Sequence, residues 1–172
     1  MFTPANPQAA RVALVGCSAR KLNRGAHARE FYTSALFRAA ITYAEAKCNA
    51  VRVVSALYGA VELDAWLEPY DRNLRAFGKR DREGWGVRTV AEVIGGFPVP
   101  PLFVVLAGQV YADALVFGAH WHNLPRPEEP LRGREGVRGA GGVAQGMSVA
   151  GRLSPPGFSA ASIARTSGSN CQ

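Results

Sequence analysis

VALVGCSARK, running from Val12 to Lys21, is the stretch from which the rest of the chain can be read. An apolar, β-branched run breaks at Gly16, and a thiol, a hydroxyl and two cations follow at once: Cys17, Ser18, Arg20 and Lys21. The run is too short for a helix and has no polar alternation, so it reads as a strand of a parallel sheet covered on both faces. In open α/β sheets ligands bind beyond the carboxyl ends of the strands, where Cys17 to Lys21 would lie.

Residues 1–10, with Pro4 and Pro7, read as a lead-in, and the first strand is Arg11 to Gly16. After a loop the period changes: in FYTSALFRAAITYAEAKC, Leu36, Phe37, Ala40, Ile41 and Ala44 fall at helical spacing, with Thr33 or Ser34 as the N-cap. VRVVSAL, Val51 to Leu57, is a second strand and runs into Ser55, Tyr58 and Gly59 beside the end of the first. VELDAWLEPYDRNL has the turn chemistry of a structured loop with a short helical turn and holds Glu68, Tyr70 and Asp71.

Asp81 to Ile94 predicts a second helix, with Trp85, Val87, Val90, Ala91 and Ile94 toward the core and Gly95 and Gly96 at its end. The third strand, Leu102 to Ala107, stops at Gly108, where QVYADAL opens a short helix. Strand, helix, strand, helix, strand gives a single Rossmann-like α/β domain over 11–125, a short, mainly parallel sheet of three to five strands flanked by helices. Residues 126–172, rich in Gly, Arg, Ser and Pro, read as an irregular C-terminal tail without a core of its own, or as an arginine-bearing tether for nucleic acid.

At 172 residues and 48% apolar the chain can bury one core. Of the net charge of +7, residues 1–125 supply 14 basic against 10 acidic side chains and the tail 6 against 3. That surplus is modest and scattered, compatible with an anionic partner without demanding one. Cys17, Cys48 and Cys171 are odd in number and far apart, which offers no disulfide framework. Nothing approaches the ~20 apolar residues of a membrane helix, and Met1 to Ala10 lacks the pattern of a signal peptide, so the expectation is a cytoplasmic protein away from membranes. Neither a P-loop nor a dinucleotide fingerprint is present, and no cofactor is expected. His120 and His122 flank Trp121 with no third ligand, so no metal site is expected.

Cys17 is the sharpest chemical candidate, because a cysteine at the end of a strand, beside cations and loop amides, is placed to act as a nucleophile. The competing reading is a packed, inert thiol. Lys21, Arg20 and the Ser18 hydroxyl could hold a phosphate or carboxylate, and Tyr32, Ser34, Ser55 and Tyr58 could orient a small polar ligand. For Ser34 the helix-cap reading is the favoured one. Glu68 and Asp71 are a candidate acid and base pair.

Four boxes in order, GCSARK, EFYTSALFRAAITYAEAK, VVSALYGAVELDAWLEPYDRNL and VVLAGQVYADAL, resemble a family of small uncharacterised bacterial and phage proteins, over roughly residues 11–117. The likeness implies that Gly59, Tyr70 and Asp71 join the ligand-binding set. More distantly, the first box is similar to the C-S-x-x-K-P-Y box of archaeosine synthase, which joins lysine to a cyano-deazaguanine base in transfer RNA. That resemblance implies a site of Cys17, Ser18, Lys21, Tyr32 and Ser34, with Cys17, Lys21 and Ser34 catalytic, although Leu22 and Asn23 stand here in place of Pro-Tyr. The S-A-x-Y-G-x-V and P-Y boxes are similar to those of the peroxide-stress protein YaaA, linked to DNA binding. The expectation is an enzyme acting on a nucleotide or deazaguanine-type nucleobase through a Cys/Ser/Lys loop. The alternative is a noncatalytic nucleic-acid-binding or stress-response protein.

Overall fold

A strand whose every side chain from Val12 to Val15 is apolar needs cover on both faces, and the computed structural model, which describes residues 9–131, supplies it. The elements in chain order are β1 (Arg11–Gly16), β2 (Ala26–His27), α1 (Ala28–Phe31), α2 (Ala35–Lys47), β3 (Ala50–Ser55), β4 (Gly59–Val61) and β5 (Trp66–Leu67). A 3₁₀ turn (Leu74–Ala76), α3 (Lys79–Ile94), β6 (Leu102–Leu106) and α4 (Gln109–Trp121) follow. Expectations for the first eight residues and for 132–172 lie outside the described residues.

The main sheet has the order β4-β3-β1-β6. β3 and β6 flank β1 in parallel, Val12 facing Ala50 on one side and Phe103 on the other, while β4 folds back antiparallel on β3. That reversal requires Gly59, whose φ of +68° is left-handed. A separate two-stranded ribbon pairs β2 with β5, in segments whose sequence reads as loop. Segments of two residues carry no readable period.

Alternate side chains of the sheet feed two cores. Val12, Leu14, Val54 and Val105 pack under α3 and α4 with Trp85, Val90 and Leu115. Ala13, Val15, Val53 and Val104 pack under α1 and α2 with Phe31, Phe37 and Ile41. The parallel strands thus carry helices on both faces and, in chain order, lie second, first, third across the sheet. That is a doubly wound arrangement whose winding reverses between β1 and β6.

Two helical stripes differ from their expectation. In α2, Phe37, Ala40, Ile41 and Ala44 are buried but Leu36 is 60% exposed, one position past the edge of the stripe. In α3 the buried line is Trp85, Gly86, Thr89, Val90 and Val93, so Val87, Ala91 and Ile94 sit only partly covered. The rotation comes from the crossing with α4, where a side chain on Gly86 would strike the Ala114 carbonyl and one on Gly118 the Gly86 carbonyl. Backbone contact at two glycines outranks the apolar spacing in deciding which face turns inward.

α4 runs through Trp121, longer than expected, and ends at Asn123 with φ 55°. Leu124 N–H donates to the Ala119 carbonyl (2.9 Å) and Asn123 N–H to that of His120 (3.0 Å), a Schellman end with Asn in the left-handed position. The fold also continues past residue 125. Glu128 pairs with Val104 alongside β6, and its carboxylate meets Arg11 at 2.8 Å. No helix among the described residues is long and apolar enough to cross a membrane.

Candidate ligand site at the reversal of the sheet

The chain leaves β1 with one more ladder bond, Cys17 N–H to the Val54 carbonyl at 3.0 Å, which fixes Cys17 beside the end of β3. The loop beyond is tied down by Thr33 N–H to the Arg20 carbonyl (3.0 Å) and Leu22 N–H to that of Phe31 (2.9 Å). Lys21 therefore pairs with Tyr32 across a short antiparallel bridge. Ser18 closes the turn by donating its hydroxyl to the Arg20 carbonyl (2.8 Å).

Across the reversal of the sheet, the first turn of α4 brings Tyr111 to Cys17, whose thiol donates to the Tyr111 hydroxyl at 3.3 Å. Tyr111 stands edge-to-face against Trp85 (5.4 Å), and the Trp85 indole N–H donates to the Ser55 carbonyl (3.1 Å). The ends of β1 and β3 and the start of α4 are thereby held in one frame.

Ser55 is wholly buried and fully engaged. Its Oγ accepts the N–H groups of Leu57 (3.2 Å) and Tyr58 (3.3 Å) and donates to the Tyr70 hydroxyl (2.9 Å), which lies 2.8 Å from that of Tyr32. Lys21 Nζ sits over the face of the Tyr70 ring, 4.5 Å from its centre, and Tyr58 meets the same ring edge-on at 5.3 Å. Burial pushes the Tyr32 phenol up to about 12. Tyr70 and Tyr111 move the same way, first through burial and then through the neighbouring Cys17 sulfur. At neutral pH all three phenols keep their protons.

Between these groups lies a hollow of about 350 Å³, lined by the Cys17–Lys21 loop, the 71–75 segment and the entrance to α4. Lys21, Arg72 and Arg75 give it three cations against one carboxylate, Asp71. Gly108 caps α4 without a side chain, so the amides of Gln109 and Val110 at the helix start have no partner within the helix. A concave, cationic space beside a thiol and a helix amino end, where the winding of the sheet reverses, suits an anionic ligand of modest size.

Of the residues singled out from sequence, Cys17, Ser18, Lys21 and Asp71 line this hollow, and Tyr32, Ser55 and Tyr70 form the hydroxyl cluster joined to it at Lys21, while Tyr58 packs its ring on Tyr70 and donates its hydroxyl to the Glu68 carbonyl (3.3 Å). Three have other work. Ser34 Oγ accepts the Phe37 N–H (3.2 Å) as the N-cap of α2, Gly59 makes the β3–β4 turn, and Arg20 is exposed with its carbonyl holding the loop. Glu68 accepts the Trp66 indole N–H at 2.7 Å. His122 bonds the Val87 carbonyl through Nε2 (3.0 Å), and no cluster of three metal-ligating side chains occurs among the described residues.

Sequence reasoning missed Tyr111, Arg72 and Arg75. A signal for Tyr111 existed, since LFVVLAG repeats the strand-then-glycine ending of VALVG; the two arginines sit in an irregular segment that carries none.

Comparison with known proteins finds a family model matching residues 12–136, described as a family of unknown function, DUF6884. No curated protein and no solved structure matches.

Proposed function

The chain belongs to DUF6884, a family of unknown function, and we propose that its members bind a nucleotide or nucleobase in the hollow at the reversal of the sheet, with Cys17 as the nucleophile. The observation that carries this reading is the thiol facing a space with three cations and a helix amino end on its rim. Lys21, Arg72, Arg75 and the α4 amides hold the anionic group, which replaces the expected pairing of Lys21 with Arg20. Tyr32, Tyr70 and Ser55 spend their hydroxyls on one another, so they set the position of Lys21 and the wall of the hollow rather than reading the ligand. The likeness of GCSARK to the archaeosine synthase box is a further reason to favour a nucleobase.

In the reaction Cys17 S–H adds across a C=N bond of the base. The S–C bond forms as the π bond breaks, and the thiol proton reaches the nitrogen through the Tyr111 hydroxyl, which accepts one proton and releases another. Tyr111 suits a relay because its phenol stays protonated at neutral pH.

Iodoacetamide labelling tests the reading in a Cys48→Ser, Cys171→Ser background. Cys48, whose thiol burial pushes up, is the slower competitor this background removes. Cys17 should label within minutes near neutral pH, and guanosine monophosphate should slow it about tenfold at saturation. Labelling that a mononucleotide leaves unchanged contradicts the proposal. A noncatalytic role, needing charge alone, would instead leave function intact in Cys17→Ser and lose it in Lys21→Ala.

A further inference from the structure

Arg72 lines a second, larger space as well as the Cys17 hollow. This groove of about 810 Å³ lies among the 3₁₀ turn, α3 and the far end of α4, and its walls include Phe77, Arg80, Arg88, Phe117 and Trp121. Trp121 is 64% exposed, its ring stacked on Phe117 with centres 6.3 Å apart and planes 28° from parallel. The Arg72 guanidinium covers the Phe77 ring at 5.1 Å. Asp81 and Glu83 also border the groove, but Glu83 is engaged by Lys79 (3.8 Å), and none of the three arginines forms an ion pair among the described residues.

A large aromatic face left in solvent beside guanidinium groups has a defined chemistry. Flat π surfaces take stacked bases, and cations placed along them take the phosphates between. A duplex hides its base faces and cannot use Trp121 in this way, while an acidic peptide would use the arginines and leave the rings idle. α4 links the two spaces, with Gly108 and Tyr111 at the Cys17 hollow and Phe117 and Trp121 in the groove. At ~1.5 Å per residue the helix spans about 20 Å, the length of about six stacked nucleotides at ~3.4 Å each.

We infer that the groove is a track for a single-stranded polynucleotide, which leads from the Trp121–Phe117 stack past Arg72 and presents one base to the Cys17 hollow. The inference rests on the nucleobase reading of that hollow and sharpens it: the base is delivered within a strand rather than as a free nucleotide.

Fluorescence anisotropy with a labelled single-stranded oligonucleotide of about ten nucleotides, and the full-length protein, tests it. Binding should weaken as salt rises, and Trp121→Ala should cost about tenfold in affinity. Arg80→Ala with Arg88→Ala should flatten the slope of log affinity against log salt by about 1.4. A duplex of the same sequence should compete poorly, and the bound strand should slow labelling of Cys17.

No binding at low salt, equal binding of the duplex, or an unchanged affinity in Trp121→Ala overturns the inference. So does a dimer in sedimentation that Trp121→Ala converts to monomer, since the face then belongs to a second copy. If guanosine monophosphate protects Cys17 while the oligonucleotide fails to bind, the track falls and the nucleobase reading stands. If the oligonucleotide binds and leaves Cys17 fully reactive, delivery into the hollow is refuted.

Discussion

The three phenols around Cys17 tie the site to the stability of the fold. Tyr32 is almost wholly buried and holds its proton up to about 12, whereas in the unfolded chain it loses it near 10. The folded state therefore binds that proton more tightly. The benefit is complete below pH 10 and drains away as pH climbs to 12, a loss of roughly 3 kcal/mol from this residue. Tyr70 and Tyr111 shift in the same direction and steepen the fall. Chemical denaturation across this range should show stability dropping sharply, and Tyr32→Phe should flatten the curve; a wild-type curve that is level from pH 10 to 12 would refute this. The cluster was partly legible in the sequence. Tyr32, Ser55 and Tyr70 each stood near a strand end or in a recognisable box, but Tyr111 lies 94 residues from Cys17, and only the packing of α4 brings the two together.

Among the elements, the α3–α4 crossing is the least forgiving. Gly86 faces the Ala114 carbonyl with no room for a methyl group, while Gly84, two residues earlier on α3, meets only the far end of the Arg88 side chain at 3.4 Å. Gly86→Ala should destabilise the protein by about 3 kcal/mol or more. Gly84→Ala should stabilise it by roughly 0.5–1 kcal/mol, because alanine loses less backbone entropy in a helix. Urea midpoints of the two variants moving in opposite directions would bear this out; equal shifts would show that the helices are not in backbone contact. The same crossing explains why the apolar period of α3 misled. Periodicity weighs side-chain size, and here the inward face is set by residues that have none. Likewise β2 and β5, two residues each, are fixed by their partners rather than by any pattern of their own.

For the molecule as a whole, the strand–helix rhythm was enough to read a mainly parallel sheet flanked by helices, because each parallel strand is a short apolar run closed by small residues and each crossover a longer amphipathic one. The cutoff at 125 was less legible. Pro125 and Pro127 look like the start of a tail, yet Glu128 hydrogen-bonds along β6 and reaches Arg11 at the opening of β1. What the topology contributes to the proposed function is one hollow, where β1 and α4 meet across the reversal in winding. Titrating the ¹⁵N-labelled protein with guanosine monophosphate while following backbone amide shifts tests that claim most directly. The amides of Ser18 to Lys21, Arg72 to Arg75 and Gln109 to Tyr111 should move together with one saturation curve. Shifts that never saturate, or that gather elsewhere and leave these three segments still, would contradict it.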